Sequence, residues 1–323
     1  MKKRTQTGLA MVIVIWVLSL LIIMAGSFSL SMRRETVVVS AIRDNAEAMA
    51  VAESGLVIAA QMLWLSEESK RWHADGSVYS VPYQDAEIRV RLFSEQGKID
   101  INHADETLLM AMISSTSIDI EKQQALVSAI LDWRDHDDLI HIDGAEKMQY
   151  EDANLAYQPA NAKFQQIDEL QMVLGMNAKV FQEIEPLITV FSGQGNVNKS
   201  VASKEVLQAI STPDSEDVDD LMQQRLEDSQ MMSSSFEASQ EDIGGGNQSG
   251  SNGNSVYTII SQARLSTAAE ATVKVTVKRS SDTRGATPYQ VLGYQQIYQG
   301  ISLFSDEMEQ FLVILQDESE RRI

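Results

Sequence analysis

The sequence predicts an α+β protein: one very long N-terminal helix, an antiparallel sheet, and a large all-α block inserted into that sheet. Three observations carry this. A charge-free apolar run opens the chain and passes directly into a stripe of helical period. Segments that alternate apolar and polar residues lie near residue 90 and again from residue 256 onward. Between them, residues 102–210 read as helices, the arrangement expected of an insertion into an antiparallel host.

The long helix comes first. No residue from Thr5 to Met32 is charged, and Leu9 to Met24 is almost wholly apolar. About 20 apolar residues rising ~1.5 Å each cross a bilayer core. Lys2, Lys3 and Arg4 precede the run, and Arg33 and Arg34 follow it. Taken alone, the run fits a secretory signal, although its apolar core exceeds the usual signal length. It also fits a plain transmembrane anchor, with basic residues on both sides leaving the orientation open. The residues beyond it point elsewhere. Val38, Ile42, Ala46, Met49, Ala52 and Leu56 recur at three- and four-residue steps, with Arg43, Asp44, Glu47 and Glu53 between them. No proline occurs before Pro82. One helix from Leu9 to Leu65 is therefore predicted, greasy all round in its first half and one-sided in its second.

The strands follow. Ile88, Val90 and Leu92 alternate with Arg89 and Arg91. Residues 256–265, 271–278 and 288–298 are further candidates, and Val273, Val275 and Val277 alternate cleanly with Lys274, Thr276 and Lys278. Inside the helical block, Gly97-Lys98-Ile99-Asp100 with Ala104, Leu109 and Ala111 lines up with Gly195-Asn196-Val197-Asn198 with Ala202, Leu207 and Ala209. The first copy looks like the start of a helix-hairpin-helix module, with Asn102 or Asp105 capping the next helix. Its hairpin, Ser114 to Asp119, has no glycine and lies among acidic residues, so the module reads as architectural rather than as a binder of nucleic acid. Residues 211–255 are rich in Ser, Asp, Glu, Gln, Gly and Asn and read as a disordered linker. Residues 300–317 have the period of an amphipathic helix that packs on the core or binds a partner.

Composition narrows the chemistry. The net charge is -20, against non-specific binding to nucleic acid and compatible with hard cations. The absence of cysteine removes disulfides, thiolate metal sites and cysteine nucleophiles. No Ser/His/Asp ordering, phosphate loop or dinucleotide fingerprint occurs, and the chain is not expected to be an enzyme. His73, His103, His136 and His141 are expected to be solvated. Asp132, Asp135, Asp137 and Asp138 crowd together, with Asp143 and Glu146 close behind. Oxygen ligands so spaced suit calcium, though the glycine and glutamate of an EF-hand loop are out of place. A capped helix end, with Asp132 and Arg134 pairing locally, explains the same residues.

The leader and the central stretch together carry a resemblance. Lys2-Lys3-Arg4, a polar spacer, Gly8-Leu9 and an apolar helix resemble the class III leader of type IV pilins and pseudopilins. Most of that family has glutamate at mature position five, where this chain has Ile13. That glutamate is thought to neutralise the amino terminus of the neighbouring subunit. A subunit with nothing above it has no such partner, and a buried unpaired carboxylate is costly. The ordered set Ile130 to Asp137, Gly144-Ala145-Glu146, Tyr150, Tyr157 to Asn161, Phe164, Glu169-Leu170, Val173 and Gly175-Met176 is similar to the inserted domain of K-type minor pseudopilins of type II secretion systems, the GspK family.

The resemblance implies cleavage after Gly8 by a prepilin peptidase, leaving Leu9 as a methylated N-terminus. It implies a leader at 1–8, a membrane and fibre helix at 9–65, and a pilin-like core at 66–101 plus 256–298. The all-α insert would be 102–210, the linker 211–255 and a C-terminal extension 299–323. It implies a tip subunit joined to the I- and J-type minor pseudopilins and the major pseudopilin. The helix would lie in the inner membrane and the body in the periplasm of a Gram-negative bacterium. It also favours calcium, for which Asp135, Asp137, Asp138, Asp143 and Glu146 are the candidate ligands. A minor subunit of a type IV pilus or competence system is the alternative, and a membrane-anchored DNA-binding protein is one of another class.

Overall fold

A computed structural model describes residues 7–65, 71–211, 218–222, 225, 255–280, 289–298, 300 and 302–313. Helix α1 runs unbroken from Thr7 to Leu63, about 86 Å at 1.5 Å per residue. Its two halves differ as the patterning requires. From Met11 to Arg43 every residue is exposed. From Ala48 onward, Ala48, Val51, Ala52, Ala59, Ala60 and Leu63 are buried against a sheet. Small side chains let the helix lie close, and at Gly55 any Cβ would overlap the Ser261 hydroxyl.

That sheet contains β1 (Asp75–Tyr83), β2 (Ala86–Ser94), β5 (Val256–Leu265), β6 (Glu270–Arg279), β7 (Tyr289–Ile297) and β8 (Leu312–Val313). The remaining pair, β3 (Ile99–Asp100) and β4 (Ile188–Thr189), is a short parallel bridge within the insert. The large sheet has the order β7-β6-β5-β2-β1-β8 and is antiparallel except for the β1–β8 pair. Register confirms the alternation: Leu92 faces Ile259, which faces Val275, and all three point at α1.

The predicted C-terminal helix is not there. Residues 302–313 cross the outer face of the sheet as a strap, with a 3-10 turn at Asp306–Phe311 leading into β8. The Phe304 ring lies 4.1 Å from the Arg264 guanidinium and 4.8 Å from that of Arg89. Phe311 takes Arg91 at 4.7 Å. Cation–π contacts of this kind fix the apolar residues individually, where a helix would have needed a continuous apolar groove. The part of the expected helix beyond Val313 lies outside the described residues.

The insert leaves the sheet after β2. It comprises α2 (Glu106–Ser114), α3 (Ile120–Arg134), α4 (Lys147–Asp152), α5 (Ala178–Ile184) and α6 (Lys204–Ile210) around a core of its own. Long turns and 3-10 segments separate these helices, so the expected all-α block is helical with a β bridge rather than helical throughout. The sequence repeat is a structural one. Asp105 caps α2 by accepting from Leu108 N at 2.8 Å, and Ser203, offset by 98 residues, caps α6 by accepting from Val206 N. The copies embrace reciprocally: Gly97 abuts the Val201 carbonyl, and Gly195 abuts the equivalent carbonyl of His103. Arg134 donates to the Ala104 carbonyl, and Arg225 donates to that of Ala202. Residues 218–222 are also helical, and Val218 and Met222 pack on the insert's core. This part of the stretch read as a linker therefore belongs to the insert. Most of 211–255 lies outside the described residues.

Candidate functional site

The acidic stretch is organised by one buried carboxylate. Asp132 sits in the last turn of α3 and is fully buried. Its Oδ1 accepts from His141 N at 3.0 Å and touches His141 Nδ1, while its Oδ2 accepts from Ala145 N at 2.7 Å. One side chain thus ties both ends of the 141–145 turn to the helix. The turn must pass close: a Cβ at Gly144 would overlap Asp132 Oδ2. Asp143 has φ +60°, a left-handed conformation that aspartate tolerates better than most residues. Sequence reasoning left Asp132 among local helix-end pairs; Arg134 instead reaches the carbonyls of Ile101 and Ala104. Nothing local in the sequence announces a contact made nine to thirteen residues downstream.

The predicted ligands divide. Asp135 Oδ2 lies 3.8 Å from His141 Nδ1, and one ligand atom each from Asp132, Asp135 and His141 fall within 4.8 Å of one another. Asp137 accepts from Leu139 N at 2.9 Å, and Asp138 accepts from Asn161 Nδ2 at 2.8 Å. Asp143 is exposed. Glu146, at the start of α4, is only 7% exposed. His141, expected in solvent, is half-exposed with its ring against Asp132. His103 also has neighbours, Asp100 at 3.1 Å and Lys163 at 2.9 Å. Gly8 and Leu9 fall in the first turn of α1.

Electrostatics mark the cluster as short of positive charge. Burial, then Asp132, Asp135, Asp138 and Asp137, push the Glu146 carboxyl up to about 7. Burial, then Asp137 and Asp132, also raise Asp135. Three buried acceptor oxygens here have no hydrogen-bond donor: Asp135 Oδ1, Glu146 Oε1 and Asn161 Oδ1. Buried polar atoms are rarely left so. Acceptors without donors, on acids that repel one another, fit a hard cation with oxygen ligands.

The acidic turn lies inside a recognised family segment. Residues 88–193 match the family model described as type II secretion system (T2SS), protein K. That segment is about a third of the chain, and its match supports a K-type minor pseudopilin of type II secretion. The chain is a minor pseudopilin, as the leader and insert resemblance implied. Among curated proteins it is similar to the type II secretion system protein K of Klebsiella pneumoniae, 22% identical over 232 residues, covering 64% of this chain and 71% of that one. It is also similar to a chain in the crystal structure of the GspK–GspI–GspJ complex from the enterotoxigenic Escherichia coli type 2 secretion system. That likeness has 20% identity and a TM-score of 0.43, and covers 83% of this chain and 99% of the other. A K-type pseudopilin is a structural component of the secretion machine, and one N-terminal helix, Met11–Leu63, is long and apolar enough to cross a membrane.

Proposed function

We propose that this K-type pseudopilin is the tip subunit of the pseudopilus, with its helix in the inner membrane and then in the fibre and its body in the periplasm. The observation that carries this is the contrast along α1. The helix is bare from Met11 to Arg43, free to enter a bundle, and then vanishes beneath a body widened by the insert. A body of that width does not stack within a fibre of small subunits, so it occupies the end. The solved complex named above joins GspK to GspI and GspJ, and the corresponding I- and J-type pseudopilins are the partners proposed here, with the major pseudopilin below them. Ile13 in place of a glutamate suits a subunit with no neighbour above it. The role is one of assembly, without catalysis; the chain is itself a substrate of the prepilin peptidase, cut between Gly8 and Leu9 and methylated at Leu9.

The test is assembly and processing together. Co-expressed with I- and J-type pseudopilins and the peptidase, the wild-type chain is expected to start at Leu9 and to co-purify with both partners. Gly8→Val should leave the leader in place. A Gly8→Val chain that still began at Leu9 would remove the leader reading. Co-purification with pilus subunits instead would favour the type IV pilus alternative.

Calcium is proposed for the acidic turn. Asp135 and Glu146 would hold it through their unpartnered oxygens, with Asn161, Asp137 and Asp138 nearby and Asp132 orienting the turn. The ion would supply positive charge that lets Glu146 ionise within its acidic surroundings. Millimolar calcium should raise the melting temperature of the wild-type chain, and the doubly substituted Asp135→Asn, Glu146→Gln chain should show little rise. An unchanged wild-type melting temperature would remove calcium from the site.

A further inference from the structure

Strand β7 closes one side of the large sheet, and no strand pairs with its outer edge among the described residues. In an antiparallel ladder every second residue of such a strand turns its N–H and C=O away from its partner. Natural edges are guarded by lysine, proline, a bulge or a covering segment. The opposite edge follows that rule, since β1 carries Pro82 and is covered by β8. Strand β7 does not. From Gly285 to Ser305 there is no charged residue, in a chain that is 22% charged. Val291, Tyr294 and Tyr298 are 50, 53 and 79% exposed.

This edge lies beside α1. The Tyr294 hydroxyl donates to Glu53 at 2.8 Å, and Gln296 reaches Met49 Sδ at 3.8 Å. Both partners lie on α1 where its buried half begins. A subunit packed along the exposed stripe of α1 therefore arrives beside β7. A cleft of about 490 Å³ borders β7 on the outer face, lined in part by Leu292, Gly293, Gln295, Gln166 and Phe191. It has room for side chains of an added strand.

We infer that β7 is a β-augmentation site, completed by an extended, uncharged segment of the neighbouring pseudopilin that packs on α1. Main-chain hydrogen bonds to the free edge would supply affinity, and alternate side chains of the incoming strand would enter the cleft or cover Val291 and Tyr294. Strand β7 itself carries no charge, so the part of the incoming strand that covers it is uncharged, while the cleft beside it is lined also by Lys98, Lys274, Glu95 and Glu185. The inference rests on assembly with other minor pseudopilins.

The experiment is amide hydrogen exchange on the full chain in detergent, alone and assembled with I- and J-type pseudopilins. Alternate amides between Val291 and Ile297 should slow at least tenfold on assembly. The substitutions Val291→Lys and Gln295→Lys, both at exposed positions, should weaken assembly at least tenfold, while Gln310→Lys on the strap should not. A complex that forms with β7 exchanging at its free rate would overturn this inference and leave the tip reading standing. Failure of the complex to form would overturn both. Protection of β7 in the concentrated chain alone would assign the edge to a second copy and overturn it as well.

Discussion

The sheet covered by α1 and the insert beside it are held by different means. The sheet core is apolar and periodic: Ile88, Val90, Leu92, Ile259, Val273, Val275 and Val277 repeat every second residue beneath a helix of small side chains. The insert has apolar residues too, but its long turns are fixed at points. Asp100 accepts from Asn102 N at 2.9 Å and from Gly193 N at 2.7 Å, and Asp132 accepts from His141 N and Ala145 N. Both carboxylates are almost wholly buried. A periodic core spreads its stabilisation over many side chains, whereas an anchored turn depends on one.

The largest effect should therefore come from Asp132→Ala. It frees two backbone N–H groups at ~1–3 kcal/mol each, so a loss of about 2–6 kcal/mol is expected. Exchange should quicken across the insert and stay unchanged in β2, β5 and β6. Equal loosening of the sheet would break the comparison. The converse probe is Gly55→Leu. Its side chain meets Ser261 and Ile88, and overpacking at about 1–3 kcal/mol should loosen the sheet and spare the insert. Denaturant unfolding with segment-resolved exchange checks both.

The smallest effect is that of pH, since protonation leaves the packing intact. Glu146 is raised in the folded state from 4.5 to about 7, so the fold binds its proton more tightly than the unfolded chain does. Its contribution favours folding at low pH and is lost as pH rises from about 4.5 through about 7. Asp135, raised as well, acts in the same direction. Insert melting temperatures between pH 4 and 8 should fall accordingly, and calcium should flatten the slope. Insert melting that rose over that window would contradict the cation deficit.

The same contrast explains what the sequence disclosed. The α1 helix, β2, β5, β6 and β7 could be read from period alone, because half-buried strands and one-sided helices write their burial into spacing. Strand β1 went unread: Asp75, Gly76, Ser77 and Pro82 dilute its alternation. The strap was mistaken for a helix because Leu303, Phe304, Met308 and Phe311 have the right spacing but meet arginines of the sheet one by one. At the acidic turn the composition was legible and the geometry was not. Which aspartate is buried depends on where the chain returns, and the spacing of Asp132 to Asp138 does not encode that. The repeat stands between these cases, since glycines against carbonyls leave a sequence trace only because they occur twice.

Helix α1 has no break between the segment suited to a bilayer and the body it carries. Membrane span and body are consequently one lever: a displacement at one end reaches the other without a linker to absorb it. The load is delivered over the turns around Gly55, where helix and sheet are closest. The apolar span and the head are thus joined by continuous helix, with no break between them among the described residues.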